Sequence, residues 1–394
     1  MNPRLVSFVV PASLLAFACV QVAPTEPTPF EALEADAAAD AAPDAVEADA
    51  GPVKLPFRPT NFDMDAISAP RIVDVKVTSR CEVDESSTSL CGEHDVASTV
   101  VRQPDGSDLR VLVARSIRVL PGASIKVKGT GAVAIVSLGD FEIHGNVDAS
   151  ASWDRASPGG FRSPQKSESP GGGPGGGGAG SSTNGAGGGS YCGQGGTGAS
   201  MGGAVTEPGA IYGNPEISPL VGGSGGGVGT ITAGTGGGAI QLVAGKKLVV
   251  GKGASIAAGG GYGNFWGAPD FQHGSGGGSG GAILLEASDV VVDGVLAANG
   301  AGGGAAGDGK DALPSTISAL GGTSRSGSKG GSGSAGDDPR GGDAIWVGTG
   351  QAPGGGGGAG RIRLNSASGT AAIGGALSPS IASSCATLGK VKPL

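Results

Sequence analysis

Apolar and polar positions alternate in short bursts along this chain, and the later bursts stop at glycine. Arg71 to Val77 reads RIVDVKV, Leu109 to Val119 reads LRVLVARSIRV, and Ala132 to Ser150 reads AVAIVSLGDFEIHGNVDAS. A period of two is that of a strand with one face buried. In the last burst Phe141 and Ile143 share one face, and Glu142 and His144 the other. The apolar runs are four to seven residues long, β-branched and flanked by glycine, so a helical period of 3.6 does not fit them. Pro104-Asp105-Gly106 reads as a turn, because proline presets one dihedral and glycine relaxes the next.

Several bursts resemble one another. AIVSLGDFEIHGNVDAS from Ala134, AIQLVAGKKLVVGKGASIAAGG from Ala239, AILLEASDVVVDGVLAANG from Ala282 and GRIRLNSASGTAAIGGALS from Gly360 each read as strand, polar turn, second strand, glycine and a third short strand of small residues. The aligned part is about 20 residues, one turn of a three-stranded solenoid. Ala239 and Ala282 are 43 residues apart, and glycine-rich insertions after VDAS, SIAAGG and LAANG fill the difference. The expected fold is therefore all-β: a parallel β-helix, or solenoid, whose stacked rungs bury ladders of Ile, Val and Leu. Asp289, Asp293, Lys246 and Lys247 fall at its turns.

Glycine changes this picture most. It occupies 82 of 394 positions, while aromatics are 4%. Stretches such as GGGPGGGGAG, Gly171 to Gly180, have no three-residue frame, which excludes collagen. Two readings of the insertions stay open. They are flexible loops leaving one corner of the solenoid, or they are packed polyproline-II-like segments that approach closely because glycine has no side chain.

The N-terminus reads as an export signal over 1–18. Arg4 supplies the positive end, Leu5 to Phe17 is an apolar core too short to span a bilayer, and Ala16-Phe17-Ala18 fits a cleavage site. Cys19 follows directly, so the site also reads as a bacterial lipobox, with Ala16 where leucine is usual. Of five cysteines, lipidation of Cys19 leaves Cys81, Cys91, Cys192 and Cys385 to pair in an oxidising compartment. Three connectivities are open, and Cys81–Cys91 with Cys192–Cys385 is the one expected.

Residues 19–65 read as a disordered tether rich in Ala, Pro, Asp and Glu, followed by an N-terminal β segment over 66–130 and the glycine-rich repeats over 131–394. The tether holds eight acids, Glu26, Glu31, Glu34, Asp36, Asp40, Asp44, Glu47 and Asp49, and too little apolar area to offset its ordering entropy. The chain has 34 acids, 26 bases and a net charge of −8. Taking those eight acids and Arg4 away leaves 26 acids against 25 bases. A nearly neutral body has no basic stripe for a phosphate backbone, so nucleic acid is not an expected partner.

The fields of GGA, GGG and GGS with interspersed strands, over about Ala132 to Asn365, resemble the PGRS regions of bacterial PE-PGRS proteins and the glycine-rich bacterial surface lipoproteins of uncharacterised function. The helical domain that opens PE-PGRS chains is missing. The resemblance implies surface display and adhesion, and no catalytic residues.

Candidate chemistry is sparse. Gly277 to Gly281 fits G-x-S-x-G but lacks the strand and helix a nucleophile elbow needs. In Gly304 to Lys310, a phosphate-loop look-alike, Asp311 stands where Ser or Thr is required and Pro314 blocks the helix. Asp308, Asp311, Asp337 and Asp338 include one copy of a calcium-binding nonapeptide look-alike, where tandem copies are needed. His94, His144 and His273 have no metal spacing. No metal or cofactor is expected. The exception is Gly259 to Gly278, where Tyr262, Phe265, Trp266 and Phe271 fall within ten residues. Such rings either pack on the body or stack on a sugar. The expected function is an exported, lipid-anchored envelope protein, at the outer membrane or cell surface, with a structural or adhesive role and no catalysis. Its expected partners are the membrane, through the lipid, and cell-surface glycans or other envelope proteins. The alternative is a polysaccharide-binding or polysaccharide-cleaving β-helix.

Overall fold

The computed structural model describes residues 54–67, 72–155, 157–229, 231–265, 273–348 and 350–394. Cys19, the signal, most of the tether, Trp266 and Phe271 lie outside them. The described residues are essentially all-β and contain no α-helix. The strands are β1 (Asp74–Val77), β2 (Arg80–Val83), β3 (Ala97–Arg102), β4 (Asp108–Ala114), β5 (Ser116–Val119), β6 (Ser124–Val127), β7 (Ala132–Ser137), β8 (Phe141–Ile143), β9 (Asn146–Asp148), β10 (Ala239–Val250), β11 (Ser255–Ala257), β12 (Ala282–Val292), β13 (Val295–Ala297), β14 (Arg361–Ser366), β15 (Ala372–Ile373), β16 (Ala376–Ser378) and β17 (Ala386–Lys390).

They form two sheets. An eleven-stranded sheet has the path β1-β5-β8-β10-β12-β14-β17, and a six-stranded one runs β16-β13-β11-β9-β6-β2. Every pairing is parallel except β3 with β4. Register explains the apolar alternation. Val133, Ile240, Ile283 and Ile362 stand in one row, and Leu112, Ile135, Leu242, Leu285 and Leu364 in the next. In the smaller sheet Cys81, Ile125, Val147, Ile256, Leu296 and Leu377 form a third row. These rows meet in one core between the sheets. The strand units are also in register across position 130: β4, β5 and β6 pair with β7, β8 and β9. Val133 pairs with Ile240, so the first aligned unit begins two residues before Ala134.

The runs AVAIVS and AILLEA are buried at every position, as strands covered on both faces are. The second cover is a separate apolar cluster. Leu55, Phe57, Phe62, Met64 and Ile67 pack there with Leu109, Val111, Val113 and Leu284. Residues 54–65, the end of the sequence-read tether, are thus part of the body, because they carry the apolar side chains the acidic stretch lacks. A buried carboxylate fixes them. Glu286 is fully buried and accepts hydrogen bonds from Thr60 Oγ1 at 2.6 Å, Thr60 N–H at 3.0 Å and Asn365 Nδ2 at 3.1 Å, and from Gln241 Nε2. Its signal was a lone acid inside an apolar run. Asp289 lies in β12, opposite Lys247 at a register shift and 3.8 Å from its ammonium, while Asp293 follows the strand end.

The glycine insertions pack on one another. Along 354–360 the backbone N–H groups donate in rotation. Gly354, Gly357 and Gly360 donate to the carbonyls of Gly304, Ala301 and Ala298; Gly355 and Gly358 to Ala186 and Gly189; Gly356 and Ala359 to Gly342 and Pro339. The Cα faces rotate in step, with Gly354, Gly357 and Gly360 against Ser275, Gly278 and Gly281, Gly355 and Gly358 against Gly196 and Gly193, and Gly356 against Ser332. A period of three with no internal hydrogen bonds is the repeat of polyproline II. Segment 273–281 behaves the same way, donating to the 258–264, 352–358 and 224–227 backbones in turn. Almost every glycine in these stretches is buried.

Candidate functional site

The disulfides come first because they fix what surrounds the site. Cys81–Cys91 and Cys192–Cys385 are both formed, with Cα separations of 5.2 and 5.6 Å. The first closes a local loop beside the smaller sheet. The second joins the glycine segments to the start of β17.

The look-alike motifs have structural roles. Ser279 is fully buried among glycines, and its Oγ accepts from Ser224 N–H at 2.9 Å, so no substrate reaches it. Arg361 is buried: its guanidinium donates to the Tyr212 carbonyl at 2.9 Å and lies 5.4 Å from the Tyr191 ring centre. Arg363 donates to Asn365 Oδ1 at 2.7 Å. His144 Nε2 is 3.4 Å from Glu142 Oε2, and His94 is exposed. His273 is 6% exposed and held at both nitrogens: Nε2 lies 2.9 Å from the Ser182 carbonyl, and Nδ1 accepts from Ala352 N–H at 3.2 Å. Burial pushes its pKa down, against the opposing pull of that carbonyl and of Glu168. Among the described residues no three of His, Cys, Asp and Glu gather as metal ligands would. Asp308 and Asp311 instead accept backbone N–H groups, and Asp338 accepts from Arg340 N–H.

One groove lies on the outer face of the smaller sheet. Its floor is the outward side chains of three adjacent parallel strands: Lys126 on β6, Asn146 and Asp148 on β9, and Ser255 on β11. The inward neighbours Ile125, Val147 and Ile256 belong to the core, so the alternation that builds the ladder also points polar groups outward. Residues 150–152 and 311–314 supply the walls of a cavity of about 300 Å³. Lys126 Nζ bridges Asp148 Oδ2 at 2.8 Å and the Ser150 carbonyl at 2.9 Å, and Ser255 Oγ donates to Asn146 Oδ1 at 2.8 Å.

Two aromatic rings adjoin it. Trp153 and Tyr262 are parallel to within 12°, with centroids 6.5 Å apart. Asp311 holds both: Oδ1 accepts from Trp153 N–H at 3.1 Å and Tyr262 N–H at 3.0 Å, and Oδ2 from Ser152 Oγ at 2.8 Å. Trp153 has φ +47° and is 38% exposed, an uncommon backbone conformation for a bulky residue. Burial, then the charges of Asp308, Asp311 and Asp154, push the Tyr262 pKa up, so its phenol stays protonated at neutral pH. Of the aromatic quartet expected from sequence, Tyr262 is tied to the groove wall through Asp311, and Phe265, half-buried, donates its N–H to Asp308 at 3.0 Å. Trp153 escaped sequence analysis because it stands alone in the chain. The polar outward positions of NVD and SIA in the aligned third strands were the signal for the floor.

Comparison with protein-family models, curated proteins and solved structures finds no match.

Proposed function

We propose that this is an exported, lipid-anchored protein of the bacterial cell envelope, displayed at the outer membrane or cell surface, with a structural and adhesive role. Its body is a parallel β-helix carrying a bundle of polyproline-II segments, held off the lipid by the acidic tether. The observation that carries the reading is the cysteine pairing: four of the five cysteines form two disulfides with each other, which fits an oxidising compartment and leaves Cys19 of the lipobox for the anchor. The body suits a passive role. Its rows of apolar side chains and its interlocked glycine backbones leave few segments for a protease to open. Mass spectrometry of the mature N-terminus from native membranes tests the proposal. A diacylglyceryl group on Cys19 is the expected result; a mature chain with an unmodified Cys19, or one retaining residues 1–18, overturns it.

A further inference from the structure

We propose that the groove over β6, β9 and β11, together with the Trp153–Tyr262 pair, binds a neutral oligosaccharide chain. The proposal goes beyond the envelope role and is independent of it, since lipidation of Cys19 and occupancy of the groove are read by different measurements.

Three features select this ligand class. First, the groove crosses three strands and is floored by hydroxyl, amide, carboxylate and ammonium groups, Ser255, Asn146, Asp148 and Lys126. A chain of hydroxyl-bearing rings needs such mixed donors and acceptors along its length. Second, two near-parallel rings are tied through Asp311 to one wall, with Trp153 38% exposed. Flat aromatic faces beside a polar groove suit the C–H faces of a pyranose, whose edges are polar and whose faces are apolar. The pair is preorganised: one carboxylate, Asp311, ties both ring-bearing backbones and the Ser152 hydroxyl together, and Trp153 is kept in a left-handed conformation. Such a conformation is strained for a bulky residue and persists where the surroundings impose it. Third, the charge is wrong for an anion. Asp148, Asp154, Asp308 and Asp311 surround the rings and groove; Lys126 is engaged by Asp148 and Arg162 by Asp154, which leaves the charges of Asp308 and Asp311. Uronate, sulfate and phosphate groups would meet net negative charge.

The test uses the purified protein with both disulfides intact. Tryptophan fluorescence and calorimetry follow titration with cellohexaose, maltohexaose, laminarihexaose and chitohexaose, with polygalacturonate as the anionic comparison. At least one neutral hexasaccharide should bind and polygalacturonate should not. Trp153→Ala and Tyr262→Ala should each weaken binding about tenfold, the loss of one stacked ring, while Tyr262→Phe, which keeps the ring, stays within about threefold. Asn146→Arg alters an exposed floor residue, leaves the aromatic pair alone and should abolish binding by filling the groove. The proposal is overturned if none of the four neutral sugars binds, if polygalacturonate binds more tightly than they do, or if Asn146→Arg binds like the unaltered chain.

Discussion

The first seven residues of β10, the first six of β12 and the glycine segments 273–281 and 352–360 are all buried, yet by opposite means. In the strands, side chains fill the space. Leu242, Leu285 and Leu364 stand in one row between two sheets, and each backbone pairs only with the strands on either side. In the glycine segments nothing fills the space except backbone. Each segment donates to three neighbours and presents its Cα hydrogens to three more. The first solution rests on excluding apolar surface from water. The second rests on satisfying every peptide group from all sides, and it must offset backbone ordering of roughly 1–2 kcal/mol per residue. Glycine forfeits the most on folding, so the second arrangement holds only when many segments are present together.

That difference makes the two regions unequal partners, and the link between them is the first place to press. Cys192–Cys385 spans 193 residues and ties the glycine segments to β17, whereas Cys81–Cys91 spans 10 within the strand region. Loop-closure entropy assigns about 5 kcal/mol to the first and about 3 to the second. The Cys192→Ala/Cys385→Ala chain should therefore lose more stability in urea than Cys81→Ala/Cys91→Ala. Hydrogen exchange should show 185–198 opening before β10 and β12. If both double variants lose the same stability and open all regions at once, the two regions are one cooperative unit and the contrast fails.

A second pair compares adding an atom with removing several. A Cβ on Gly357 would lie less than 3.0 Å from the backbone of Gly278, with no flexible side chain to give way. Gly357→Ala is thus an overpacking change inside rigid backbone, expected to cost about 3 kcal/mol. Leu285→Ala removes a fully buried ladder side chain and is also expected to cost about 3 kcal/mol. Equal losses from one added carbon and three removed ones would sharpen the contrast. A Gly357→Ala chain as stable as the parent would show that the segments breathe apart.

Much of the strand region was readable in the chain. Period-two patterning placed the ladders, and the aligned units around Ala239 and Ala282 match the observed pairing from Ala239 to Ala244, with a one-residue shift before Lys247, since self-similar strand units pair in similar register. The local cysteine pair follows from spacing in the same way. The unit from Leu109 to Val127 was harder to see, because no glycine insertion follows it, yet it pairs with β7, β8 and β9. The glycine region was readable only as a choice between loops and packing. The neighbours of Gly356 are Gly342 and Ser332, and no side chain records that choice. The groove was half legible for a related reason: Tyr262 announces itself among clustered aromatics, while Trp153 reaches it through Asp311, a contact only the fold creates.

The smallest expected effect concerns pH and falls on the glycine region. His273 opens segment 273–281 and is buried as the neutral ring, its Nε2–H donating to Ser182 and its Nδ1 accepting from Ala352. Burial holds its pKa below the ordinary 6.5. Above pH 6.5 neither folded nor unfolded chain carries the proton, and stability is full. Below it the unfolded chain gains the proton first, so stability falls with pH and levels off only beneath the folded-state value. Protonation at Nδ1 would turn an acceptor into a donor facing the Ala352 N–H. Exchange in 273–281 and at Ala352, corrected for intrinsic rates, should therefore rise between pH 7.5 and pH 5.5, while 282–292 in the neighbouring strand stays unchanged. His273→Gln, which offers an amide oxygen and N–H groups without a titration in this range, should remove that pH step. A step that persists in His273→Gln, or one shared by both regions, would assign it to another group and erase this last difference between side-chain and backbone packing.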